Sequence, residues 1–128
     1  MRPVAIVFVL LISLLAVSCL PETSAPQSSA TPYTQIDFTV GMSEKHTVVV
    51  DLEAGQTVEG DFSISGQQDY IDFYIKDPFG GLLYDVIRAE GSHKFTAKAK
   101  YSGAHTLYFD NSFSFGTSRQ IALRYRMR

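Results

Sequence analysis

The stretch Asp69–Asn111 reads DYIDFYIKDPFGGLLYDVIRAEGSHKFTAKAKYSGAHTLYFDN, and its rhythm decides the fold. Ile71, Phe73 and Ile75 alternate with Asp72, Tyr74 and Lys76. Period-two alternation sets one face of a strand into a core and the other into water. Asp77-Pro78-Phe79-Gly80-Gly81 then breaks the strand, because Pro presets one φ angle and Gly supplies a positive one. Leu82–Arg88 is apolar on both faces, which predicts a central strand. After the turn at Glu90-Gly91-Ser92, Phe95, Ala97 and Ala99 alternate with lysines and Thr96. Beyond Tyr101-Ser102-Gly103, His105, Leu107 and Phe109 oppose Thr106 and Tyr108.

The same rhythm continues on both sides. Upstream, Ile36, Phe38 and Val40 form one set, then Val48, Val50 and Leu52 in Lys45–Leu52, then Val58, Phe62 and Ile64 with Gly60 on their face. Downstream, the polar and aromatic loop Asn111–Ser118 leads to Ile121, Leu123, Tyr125 and Met127. About eight strands with frequent turns predict an all-β fold, a single antiparallel β-sandwich of jelly-roll type.

The first third of the chain reads differently. A short positive start, Met1-Arg2, precedes the apolar run Val4–Val17 and then Ser18-Cys19. This is the layout of a secretory signal peptide, and the run is short for a spanning helix. Leu15-Ala16-Val17-Ser18-Cys19 resembles a bacterial lipobox, which implies that Cys19 is lipidated and becomes the new N-terminus. The segment that follows, rich in Pro, Ser and Thr, has no apolar period and reads as a flexible tether. The expected organisation is therefore a signal peptide over 1–18, a lipidated Cys and linker over 19–34, and a folded domain over 35–128. An ordinary signal peptide, giving a secreted domain, is the alternative.

Composition narrows the function. The net charge of −2 offers no basic excess for holding nucleic acid. Cys19 is the only cysteine, so no disulfide forms within the chain and no thiolate cluster binds metal.

Within Asp69–Tyr125, several pieces in fixed order resemble a GOLD (Golgi dynamics) domain. They are Ile71-Asp72-Phe73-Tyr74-Ile75, Asp77-Pro78-x-Gly80, Leu83-Tyr84, Phe95-Thr96-Ala97, Gly103 leading into Leu107–Ser114, and Ile121–Tyr125. The resemblance implies a β-sandwich that binds proteins and assembles with its relatives. It is best known from cargo receptors of the early secretory pathway. Those receptors look to carry a disulfide where Tyr108 stands here, and His105 replaces a Tyr of their pattern. They continue into a coiled coil, a transmembrane helix and a coat-binding tail, so coat recruitment is not expected of this sequence, which ends at Arg128. A second resemblance is to the prepeptidase C-terminal type of bacterial sandwich.

Candidate site residues follow from exposure and residue type. Phe113 and Phe115, in a Ser-rich loop, suit either a protein contact or a plug over the sandwich end. Tyr74, Tyr108 and Tyr70 lie on nominally polar faces and suit packing against a protein or against sugar rings. Asp69, Asp72, Asp77 and Asp110 carry oxygen ligands for calcium but lack EF-hand spacing, and read as turn and wet-face residues. His46, His93 and His105 fall on three separate segments, without metal-site spacing. Arg119, Arg124, Arg126 and Arg128 bring four cations to the last ten residues, as a solvated face or a contact with anionic headgroups. No nucleophile elbow or phosphate loop is present in the sequence.

The expectation is thus a non-enzymatic, extracytoplasmic, membrane-tethered module without a cofactor or metal, binding a protein partner. A carbohydrate-binding module is the alternative. A weak homo-oligomer is left open.

Overall fold

The computed structural model describes residues 31–128. The expected signal peptide, Cys19 and most of the expected linker lie outside the described residues.

Among the described residues eight strands form: β1 Thr34–Val40, β2 Lys45–Leu52, β3 Thr57–Ser65, β4 Tyr70–Lys76, β5 Leu82–Glu90, β6 Ser92–Lys98, β7 Gly103–Asp110 and β8 Arg119–Met127. They build two four-stranded sheets, in the orders β1-β8-β3-β6 and β2-β7-β4-β5. All pairings are antiparallel. This is the jelly roll that the alternation predicts.

The alternating apolar residues meet between the sheets. Val58, Phe62, Ile121 and Leu123 come from one side, and Ile71, Phe73, Ile75, Leu107 and Phe109 from the other, all buried. Phe62 sits at the centre. Its ring lies 4.9 Å from Phe73 and 5.2 Å, edge-on, from Phe109. Gly60 lets β3 and β8 come together, since a Cβ there would stand 2.8 Å from the Cα of Tyr125.

Two expectations are corrected. Leu82–Glu90 is an edge strand, pairing only with β4. Its register slips between the pairs Ile71–Ala89 and Phe73–Val86, leaving Ile87 and Arg88 as a bulge. Ile87 (72% exposed) and Leu82 (60% exposed) therefore point to solvent, which explains the apolar residues on both faces. The bulge twists the edge and discourages further pairing.

The second correction concerns Arg119. It does not share the solvated face of Arg124, Arg126 and Arg128 but is fully buried. Those three find acids on β3: Arg124 pairs with Asp61 at 2.8 Å, and Arg126 and Arg128 both reach Glu59. The acids were invisible in the last ten residues because they come from the neighbouring strand.

The registers also define two ends. Turns 41–44 and 66–69, Gly91 and loop 111–118 gather at one, tied by Ser43 N–H to Ser114 O, Gly91 N–H to Asp69 O, and Asn111 N–H to Glu44 O. Turns 53–56, 77–81 and 99–102 gather at the other, with Gly55 N–H donating to Ala99 O. Because Thr34 pairs with Tyr125 and Val40 with Arg119, the chain enters at this second end.

Candidate partner-binding face

The outer face of the β2-β7-β4-β5 sheet carries most of the candidate residues. Tyr108 on β7 pairs with Tyr74 on β4, with Thr47 and Asp85 flanking them in the same row. The two rings stack at 4.8 Å with 15° between their planes. The ammonium of Lys76 stands 5.4 Å from the Tyr108 centroid and 5.8 Å from that of Tyr74, within cation–π range. The rings thus stand against each other and beneath a cation. A sugar-stacking site needs a free ring face, and part of that area is taken here.

One row further along, Asp110 faces Lys45 on one side and Asp72 on the other. Tyr74 donates its hydroxyl to Asp110 Oδ2 at 3.4 Å, and Lys45 Nζ lies 3.5 Å from the same oxygen. The backbone N–H of Ser112 donates to Asp110 Oδ1 at 2.8 Å. Burial alone would push the Asp110 carboxyl up, but Ser112 and Lys45 outweigh it and hold the group below its ordinary range. Burial raises the Tyr74 phenol, with the Asp110 charge adding to it. The Asp110 charge also raises Lys45. Asp72 has its own cation, Arg88, which binds it at 2.9 Å and also donates its backbone N–H. That grip holds Arg88 at φ 56°, a left-handed conformation unusual for a residue with a side chain.

Arg88 carries the face onto loop 111–118. Its guanidinium lies 3.3 Å from the centroid of Phe113, and Phe113 stacks on Tyr70 at 5.5 Å. Arg119 closes the stack from inside, 5.1 Å from the Tyr70 ring. Phe113 therefore folds back against the sandwich, whereas Phe115, two residues on, is 83% exposed. The sequence alone could not separate them, because both sit among serines with no period. Asn111 fixes the loop, donating Nδ2 to Gly41 O and Thr117 O. Tyr74, Tyr108 and Phe113 thus belong to one stripe, and Phe115 stands on the loop at its end.

The remaining candidates separate. Asp77 caps its own turn, accepting from the N–H groups of Phe79 and Gly81 at 2.8 Å. His46 stacks on Phe38, His93 meets the Tyr84 hydroxyl at 2.7 Å, and His105 is buried with Nδ1 on Gly103 O. Among the described residues, no three His, Cys, Asp or Glu side chains gather as a metal site would require. Sequence reasoning missed the exposed pair Phe79 and Tyr101, edge-to-face at 5.1 Å on the opposite end. The signal was an aromatic inside a Pro-Gly turn, read only as a turn.

Residues 35–128 match the family described as emp24/gp25L/p24 family/GOLD. The chain belongs to this GOLD family. Among solved structures, the GOLD sandwich is similar to the Aeromonas hydrophila PliG, a periplasmic lysozyme inhibitor of g-type lysozyme. The TM-score is 0.56 at 13% identity, covering 77% of this chain and 89% of that one. The Salmonella Typhimurium PliG gives 0.53 at 14% identity, covering 76% and 92%. At such identities the likeness is one of fold. No curated protein matches the sequence.

Proposed function

We propose that this GOLD domain is an extracytoplasmic, membrane-tethered module that binds a protein partner and performs no chemistry of its own. The reading is carried by the aromatic and cationic stripe of Lys76, Tyr74, Tyr108, Arg88 and Phe113, which ends at the exposed Phe115. Aromatic and arginine side chains on a rigid sheet suit a protein interface, since little side-chain entropy remains to be lost. The two PliG proteins support it by analogy, being sandwiches of this fold named as inhibitors of an enzyme. The tether rests on Val4–Val17 and the lipobox-like Leu15–Cys19.

Two experiments test the reading. Intact mass of membrane-extracted protein should show a diacyl or triacyl adduct that a Cys19→Ser variant lacks. An unmodified, cleaved mass would make the domain a secreted one. For binding, a photo-crosslinking residue at Tyr108 or Phe115 should give a discrete adduct with a protein in native membranes, weakened by Tyr74→Ala. No adduct at either position would remove the protein-binding reading. A g-type lysozyme is the first partner to try by inhibition assay, and its unimpaired activity would remove that partner.

A further inference from the structure

The end of the sandwich where the chain enters carries an unexplained apolar tip. Phe79 (79% exposed) tops the β4–β5 turn and meets Tyr101 of the β6–β7 turn edge-on at 5.1 Å. Leu82 begins β5 beside them, also exposed. The turns beneath are firmly built. Asp77 holds the N–H groups of Phe79 and Gly81, and Pro78 packs so closely on Gly103 that a Cβ there would stand 2.9 Å from the proline ring. Two aromatics on rigid, adjacent turns are therefore held in water, which burial elsewhere would relieve.

Charge separates the two ends. At the Phe79 end, Lys76, Lys98 and Lys100 stand against Asp51, Glu53 and Asp77, while Glu59 takes up Arg126 and Arg128. That end has one cation more than it has acids. At the Phe115 end Asp110 and Asp72 have Lys45 and Arg88, while Glu44, Asp69 and Glu90 have no ion-pair partner among the described residues and outnumber the one further cation there, the buried Arg119. The Phe115 end is acidic and would be repelled by an anionic surface; the Phe79 end would not.

The chain's entry point selects the occupant. Tyr33 and Thr34 lie at the Phe79 end, since Thr34 pairs with Tyr125. Cys19 and Tyr33 are 14 positions apart in the sequence, and a flexible chain of that length has a root-mean-square reach of about 20 Å. The first surface within that reach is the bilayer that would hold the acyl chains. We propose that the Phe79–Tyr101 end rests on the lipid surface, with the Phe79 ring in the headgroup–acyl boundary and Tyr101 beside it. Tyr101, with an apolar ring and a wet hydroxyl, suits that boundary, and Phe79 adds apolar area to bury in it. The sandwich then stands with Phe115 directed away from the membrane. This rests on the tethered reading of Cys19.

The test uses the absence of tryptophan from the sequence. Single variants Phe79→Trp and Phe115→Trp each place one reporter at an exposed position. Each chain, beginning at Cys19, is coupled through that one thiol to a maleimide lipid in phosphatidylcholine–phosphatidylglycerol vesicles carrying brominated acyl chains. The Phe79→Trp emission should shift to the blue and be roughly halved by the bromines, as for a ring buried at interfacial depth. Phe115→Trp should stay as it is in vesicles without bromine. An unquenched Phe79→Trp, or equal quenching at both positions, would overturn the proposal. Chemical coupling keeps this outcome separate from the native lipidation of Cys19, which the intact mass decides.

Discussion

Arg119 is a buried cation without a carboxylate partner among the described residues, and removing it tests how this end of the sandwich is held. Its Nε donates to Tyr70 O at 2.9 Å, Nη2 to Gln68 Oε1 at 2.9 Å, and Nη1 to Thr117 O at 3.2 Å and to the Thr117 hydroxyl. Its plane also lies over the Tyr70 ring. One side chain thus clasps the β3–β4 turn, the start of β4 and loop 111–118. In Arg119→Met the volume is nearly kept and these acceptors lose their donor. At about 1 kcal/mol for each of the three residues contacted, the two bonds to Thr117 taken together, and about 1 kcal/mol for the stacking, the loss is roughly 4 kcal/mol. Relief from burying an unpaired charge returns about half of that. A net loss of about 2 kcal/mol corresponds to a Tm lower by roughly 8–16 °C for a domain of this size. Thermal unfolding followed by circular dichroism measures it, and hydrogen exchange should show faster exchange of amides 112–118. Arg119→Lys should not rescue, because one ammonium cannot span three acceptors in fork geometry. A variant as stable as the parent, within about 0.5 kcal/mol, would refute the clasp.

Three further outcomes are expected. Gly60→Ala should cost about 2 kcal/mol by urea titration, because its Cβ meets β8 backbone that cannot step aside, whereas Gly116→Ala, with open space around it, should be near neutral. His105→Leu should change stability by no more than about 1 kcal/mol, since the buried Nε2 has no partner to lose and only the Nδ1 bond to Gly103 O disappears; a loss above about 3 kcal/mol would show that Nε2 is engaged after all. The Asp110 carboxyl is held below its ordinary value in the folded state, so its contribution is present above the unfolded pKa near 4 and is lost as pH falls through the folded one. Asp110→Asn should therefore lose less stability than the parent between pH 7 and pH 3, read as urea midpoints, and equal losses would contradict this origin.

What the sequence disclosed follows the range of each force. Alternation is local, so the core faces of seven strands and the jelly-roll class were legible from residues such as Val58, Phe62 and Ile64. β5 misled because a bulge inverts its facing after Val86, and a bulge is a property of the β4–β5 pairing, not of the β5 sequence. Arg119 misled for a similar reason. It opens the strand that carries Arg124 and Arg126 but faces inward, and two of its acceptors come from residues 49 and 51 positions away. Tyr74 and Tyr108 were legible one at a time as exposed aromatics. Their stacking was not, since it depends on β7 lying beside β4.

The jelly-roll path also separates the point where the chain enters the sandwich from loop 111–118. β1 runs once along the molecule, from the turns that carry Phe79 and Tyr101 to those that carry Met42 and Phe115. Entry and far end are therefore separated by the length of one seven-residue strand, about 20 Å. Loop 111–118 belongs to the far end by topology, and Asn111, Thr117 and Arg119 hold it there through contacts within the domain. A preformed loop loses little entropy on binding. The anchor proposed for the opposite end would keep it clear of the bilayer. The exposed Phe115 and the buried Arg119 are then two parts of one arrangement, in which the second sets the position of the first.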